Sequence, residues 1–332
     1  MNPRNLQRAA RAVAAVGLAA ALAAGCADEP DDAPATDEAV RLDVDPTRVM
    51  LHDEGETPGE ILTFLDHSED ASGTGKVRVG RGFDQEVRPG ADADPAPPSG
   101  LPDGLVDHER LELDWSSGPA DTADPGEQAD EREVTYRGAA GGDVAEGFEL
   151  TARTTTSGEL IEVALAAPEE ADDTDRLAAE DALLTWLSLP VVFPDQPVGV
   201  GARWSVDSRV AGEESLLQTT TYTLVSHDGD DVELDVDVEQ RPALGALQIG
   251  RAPAGGGSEA GEIGDVEELE EESLEVQSSR TTASGRLSLN LAAPLPTAGE
   301  VRYTTRVVYG GEEELAVVQD AETRLAFGPD AE

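Results

Sequence analysis

Residues 219 to 239 read TTTYTLVSHDGDDVELDVDVE, and their pattern decides the fold class. Val232, Leu234, Val236 and Val238 alternate with Glu233, Asp235, Asp237 and Glu239, so one face is apolar and the other acidic. A period of two is that of a strand with one side on a core and the other in water. The runs Thr219 to Val225 and Val232 to Val238 flank Asp228-Gly229, a two-residue hairpin signal. The stretch therefore predicts antiparallel sheet.

Working outward, the chain echoes itself. Arg153, Thr154, Thr155, Ser157, Gly158 and Leu160 recur in order as Arg280, Thr281, Thr282, Ser284, Gly285 and Leu287. Pro197 with Arg203-Trp204 recurs as Pro296 with Arg302-Tyr303, and Gly212, Glu213, Glu214 and Leu216 as Gly311, Glu312, Glu313 and Leu315. The echo predicts two related meander halves, each with a Ser-Gly turn and a Gly-Glu turn. The first half holds extra residues that read as a helix over about 174 to 189. Thr174 can cap it, Asp172, Asp173 and Asp175 favour its start, and Pro190 stops it. Leu177, Leu183, Leu184 and Leu187 form its expected apolar side.

Residues 40 to 115 carry shorter alternating runs at Arg48 to Leu51, Glu60 to Leu65, Lys76 to Val79 and Glu109 to Trp115. In the last, Leu111, Leu113 and Trp115 share a face opposite Glu112 and Asp114. The polar or acidic stretches 89–104, 116–130 and 250–272 read as disordered inserts in a single β-rich domain spanning 40–328. The fold class expected is mainly β: a large curved antiparallel sheet or half-barrel with one helix packed on a face.

At the N-terminus, Arg4, Arg8 and Arg11 precede an apolar run, Ala12 to Ala24, that is shorter than the roughly 20 residues a spanning helix needs. Leu22, Ala23, Ala24, Gly25 and Cys26 resemble a bacterial lipobox, with leucine one place earlier than the usual pattern. This resemblance makes 1–25 a lipoprotein signal peptide and Cys26 the lipidation site. Cleavage near Ala21 to Ala23 by an ordinary signal peptidase is the alternative, and it leaves Cys26, the single cysteine, as a lone thiol. Residues 26–39 are Asp, Glu, Pro, Ala and Thr-rich and read as an acidic disordered tether reaching roughly 20 Å. The expected location is the extracytoplasmic side of the cell membrane, with the membrane as partner through lipid on Cys26.

Phe193, Pro194, Pro197, Val198, Gly199, Val200, Gly201 and Trp204, followed by Thr220, Tyr222, Leu224 and the Asp228-Gly229 turn, resemble the signature of an actinobacterial lipoprotein family known only as a domain of unknown function. The likeness covers about 180 to 328. It implies an exported, strand-rich domain and supplies no catalytic residues.

Seventy Asp and Glu face 23 Lys and Arg, a formal charge of -47, which argues against nucleic acid and anionic headgroups as partners. No residue pattern points to chemistry. Gly199 and Gly201 precede a strand, whereas a phosphate loop opens a helix. His52, His67, His108 and His227 lack the spacing that aims two ligands at one metal, and Asp228, Asp230 and Asp231 lack the twelve-position calcium loop. There is no Gly-x-Ser-x-Gly elbow. No cofactor, metal or catalytic site is expected. The function expected is a non-catalytic binding or scaffold role toward a protein or cell-wall partner; the alternative is a carrier of an apolar or lipid-like ligand in a cavity of a few hundred Å³ between sheet and helix.

So large an acid excess repels itself, and salt screens that repulsion. The melting temperature is expected to rise from low to molar salt; a flat response overturns the idea.

Overall fold

A computed structural model describes residues 39–42, 44, 46–64, 71–98, 106–120, 131–210, 216–243, 246–248, 273–310 and 315–331. The expected signal peptide, Cys26, the expected tether up to residue 38 and the expected 250–272 insert lie outside them.

The strands, in chain order, are β1 (Val40–Leu42), β2 (Arg48–Asp53), β3 (Ala71–Pro89), β4 (Val106–Pro119), β5 (Glu131–Gly138), β6 (Glu149–Thr155), β7 (Leu160–Ala166), β8 (Arg203–Val210), β9 (Leu216–Asp228), β10 (Asp231–Pro242), β11 (Ala246–Gln248), β12 (Ser273–Asn290), β13 (Ala298–Gly310) and β14 (Leu315–Phe327). One helix, α1 (Asp173–Leu187), separates β7 from β8. The strands form one antiparallel sheet in the order β1-β7-β6-β5-β4-β3-β14-β13-β12-β10-β9-β8-β2, with β11 beside β12. Two meanders, β3 to β7 and β8 to β14, are joined where β14 pairs with β3.

The opening hairpin is β9–β10, with Gly229 at φ +62 in its turn. Val232, Leu234, Val236 and Val238 are buried together, and their register continues through Leu287 and Leu289 of β12 to Val301 of β13. The same alternation puts Leu111, Leu113 and Trp115 of β4 in the core. All of these side chains join a single apolar cluster on one face of the sheet.

That face is concave because of chain length. β1 and β2 are the two ends of the sheet, yet only residues 43–47 link them. Laid flat, the sheet would be about 58 Å wide at 4.8 Å per strand. The link spans at most about 22 Å, so the ends must approach and the sheet must curl. The seam is stitched by Thr47 Oγ1 donating to Glu159 Oε1 at 3.3 Å, and by the amides of Phe64 and Phe193 donating to Thr156 and Ser157 in the β6–β7 turn. β1 and β2 do not pair, so the sheet stays open.

α1 lies on the inner face. Its N-cap is Asp172, whose carboxylate accepts from the amides of Thr174 and Asp175, so the expected Thr174 cap is corrected to the acid two places earlier. The buried side is Ala179, Ala182, Leu183, Thr185 and Trp186, while Leu177 and Leu184 are exposed. Leu177 lies about 120° round the helix from Leu183, too far to share its contact. The alanines let the helix approach the sheet closely.

Other expectations also shift. Ser157-Gly158 is a turn, with Gly158 at φ +96, but Ser284-Gly285 sits within β12. Gly285 lies opposite Val301, where a Cβ would come within 2.8 Å of that side chain, so this glycine makes room across strands. The meander halves thus divide at α1, and the echo marks matched hairpins only in β8–β9 and β13–β14. Ser116 to Pro119 belong to β4 and pair with β5, which moves the start of the 116–130 insert. Glu60 makes only an isolated bridge to Val198, since the run from Glu60 braces the seam instead of joining the sheet. In 89–104, Gly90–Asp92 forms a 3-10 turn that ends β3.

A buried polar chain ties the helix end to the sheet. Gln218 donates to the Ser188 carbonyl at 2.8 Å, Gln240 donates to Gln218 Oε1 at 2.8 Å, and Thr305 donates to Gln240 Oε1 at 2.9 Å. Removing one member strands its partners in a dry site. Gln240→Leu is expected to cost about 1 to 3 kcal/mol, read as a lower urea midpoint with an unchanged slope; an unaltered midpoint contradicts this role.

Candidate functional site

The inner face gathers most of the aromatic residues. Trp204 stacks on Tyr222 with ring centroids 5.7 Å apart, and Phe193 bridges Trp204 and Phe64. The segment after α1 anchors them: Trp204 Nε1 donates to the Val192 carbonyl and Tyr222 Oη to the Pro190 carbonyl, each at 2.8 Å. These residues explain the Phe-Pro-x-x-Pro-Val-Gly-Val-Gly-Ala-x-Trp stretch as packing. Gly199 is needed because a Cβ there would meet the Glu56 carbonyl oxygen at 1.8 Å, and Gly201 because of its φ of +87. Neither glycine faces an anion site.

Beside this cluster, at the C-terminal end of α1, is a cavity of about 100 Å³. Tyr136, Trp186, Phe64, Phe327, Leu287 and Leu289 supply much of its wall, and none of the lining residues is charged. Tyr136 and Trp186 meet edge to face, centroids 4.9 Å apart at 82°. They are 6% and 7% exposed. Burial alone raises the Tyr136 pKa above its ordinary value.

A second feature lies farther along the same face. Phe83 and Val87 of β3 share the parity of core residue Val79, yet they are 57% and 63% exposed, and Leu315 of β14 is exposed nearby. On α1, Leu177 and Leu184 flank Asp181, which pairs with Arg81 of β3. The outer face is charged. Arg306 grips Asp320 through two bonds of 2.7 and 2.6 Å, while Arg302 reaches Glu322 and Arg324 reaches Glu300 diagonally across β13 and β14. Arg110 clamps Asp143 and holds its carboxyl below the usual range.

The residues weighed in the sequence do not converge. His52 Nε2 lies 2.9 Å from Ser205 Oγ, and His227 sits near the tip of the β9–β10 hairpin; His67 and the His108 side chain are outside the described residues. Asp231 accepts from Asn290, and Asp228 and Asp230 flank Gly229 in the turn. Among the described residues no group of His, Cys, Asp or Glu is arranged to hold a metal ion. No described helix is long and apolar enough to cross a membrane. Sequence reasoning missed Tyr136, Trp186 and Arg132, a fully buried arginine that donates to Ser117 Oγ. The parity of Arg132, Val134 and Tyr136 was the available signal for that strand's inner face.

Comparison of the chain with known protein families, curated proteins and solved structures finds no match. The lipoprotein resemblance is therefore neither supported nor opposed by relatives.

Burial raises the pKa of Tyr136, Tyr222 and Tyr303, with Tyr303 adding to the effect at Tyr222 and with hydrogen bonds from Ser188 and Thr323 partly opposing it at Tyr303. Each folded-state pKa lies above the unfolded value of about 10, so the stabilisation is complete below pH 10 and is lost as pH rises toward the folded pKa. Each tyrosine is expected to remove about 1.4 kcal/mol per pH unit above pH 10. Urea midpoints at pH 9 and 11 measure this, and equal midpoints contradict it.

Proposed function

We propose that the chain is an exported envelope lipoprotein, held at the extracytoplasmic side of the cell membrane by lipid on Cys26, whose β domain binds or scaffolds a partner without catalysing a reaction. The exposed apolar group of Phe83, Val87, Leu315, Leu177 and Leu184 carries the binding half of this reading. Clustered exposure of large apolar side chains is costly unless something covers it. The charge of -47 favours a basic or neutral partner, protein or cell wall, over nucleic acid.

The anchoring half rests on the n-region, the short apolar run and the lone Cys26. One acyl chain holds a protein only marginally, so a cysteine carrying two or three is what makes such an anchor stable. The carrier alternative keeps only a reduced form. A cavity of about 100 Å³ is far below what a whole lipid occupies, although it would take a small apolar group.

Protein purified from its own cells is expected in the membrane fraction, with a diacylglyceryl mass on the peptide beginning at Cys26. Cys26→Ser is expected to release it. An unmodified Cys26, or a variant that stays with the membrane, overturns the anchor.

A further inference from the structure

We infer, resting on the non-catalytic binding reading, that the partner is an extended peptide segment of alternating apolar and basic residues, which adds as a strand to the open edge of β3 at residues 83–89.

The register exposes that edge. β3 pairs with β14 from Val77 to Pro89, but with β4 only from Ala71 to Gly82, where Val106 begins β4. From Phe83 to Pro89 the side of β3 turned away from β14 has no strand beside it among the described residues. Successive residues of a strand direct their N–H and C=O to opposite sides, so about every second residue here offers an unpaired donor and acceptor. The chain leaves in the other direction. After Pro89 the turn Gly90–Asp92 carries it over the outer face, where Ala93 packs on Val308, Ala316 and Val318, and the Asp94 carbonyl accepts from Arg306. An unpaired edge is a ready template for another strand. Residues 83–89 span about 23 Å at 3.3 Å per residue, within the usual length of a strand.

The side chains define the guest. Phe83 and Val87, on the inner face, are 57% and 63% exposed, as side chains are when no neighbouring strand covers them. The Arg81–Asp181 ion pair brings α1 to this level, and Leu177 and Leu184, about one turn to either side of Asp181, extend the apolar lining. On the opposite parity stand Asp84 and Glu86, with Arg88 already held by Glu86. A strand laid along the edge places its inward side chains beside Phe83 and Val87 and its outward ones beside the acids. Apolar alternating with basic is the complementary pattern. A second copy of the chain is a poor guest, since each carries a formal charge of -47.

The test uses the full chain and two synthetic octapeptides, one alternating valine with lysine and one alternating valine with glutamate. The lysine peptide is expected to bind saturably in calorimetric titration, to weaken with added salt, and to slow amide hydrogen exchange over residues 83–89; the glutamate peptide is not. N-methylation of alternate peptide residues removes the donors along one of its two edges. Methylation of one edge is expected to weaken binding at least tenfold, the worth of about two backbone hydrogen bonds, and methylation of the other to leave it unchanged. Glu86 is exposed, so Glu86→Lys keeps the fold, and it is expected to weaken the lysine peptide about threefold. Slow exchange over 83–89 in the free chain overturns the inference, because the chain itself or a second copy then pairs there; so does a glutamate peptide that binds as tightly. A lysine peptide that binds with both methylation patterns harmless overturns the edge and leaves the apolar group as a binding surface. If no peptide saturates, the edge is overturned, and the fluorescence of the neutral dye Nile red then shows whether the apolar group of the binding reading still stands.

Discussion

The constraint on which the rest depends is the short chain between β1 and β2. Two strands at opposite ends of one sheet cannot be joined by residues 43–47 unless the sheet bends through most of a turn. Bending gives the sheet an inside, and an inside must be filled. The filler is α1 with the segment that follows it, which is why that segment's carbonyls, at Ser188, Pro190 and Val192, are the acceptors for Gln218, Tyr222 and Trp204. Those bonds fix the helix end against the sheet. They also anchor Trp204 and Tyr222, two of the largest fully buried side chains, on the strands next to the seam.

The curl also separates two kinds of surface. Inside, alternation places Val, Leu and aromatic residues; outside, the same alternation places acids that need cations. The chain answers with arginine, whose planar fork can hold an acid on a neighbouring strand through two bonds, as Arg306 does with Asp320. Pairs as exposed as Arg286 with Asp235 contribute little each. Their effect is on register: a one-residue slip would carry each arginine to the wrong face and each valine into water.

Much of this was legible locally. Val232 to Val238 announced a strand, Asp228-Gly229 its turn, and Asp172 to Pro190 a helix, because each signal is contained in a few neighbouring residues. What failed depended on contacts far along the chain. Ser157-Gly158 and Ser284-Gly285 are the same dipeptide, yet one turns and the other continues, and the difference lies in Val301 standing opposite Gly285. Leu177 and Leu184 read as core because leucine usually is, whereas the alanines at 179 and 182 took that place once the helix had to lie close to a concave wall. The pairing of β1 with β7 leaves no local trace at all. Tyr136 could be assigned to the inner face by parity, but that it would meet Trp186 edge to face depends on a helix far along the chain.

The position of the cavity follows from the same geometry. A strand contributes an inward side chain every second residue, so the regular parts of the sheet can be filled evenly by apolar residues in register. Where the β6–β7 and β12–β13 turns meet the segment after α1, that regularity ends, and prolines at 190, 294 and 296 replace pairing backbone. Proline rings are rigid and cannot repack to close a gap. The void left there is consequently a product of how two meanders and one helix end at the same place. Two of its wall residues, Tyr136 and Trp186, are held by strand and helix rather than by the turns. A space that the fold itself does not fill, walled by a regular strand and a helix, is the arrangement from which a small-molecule site can be made without altering the architecture around it.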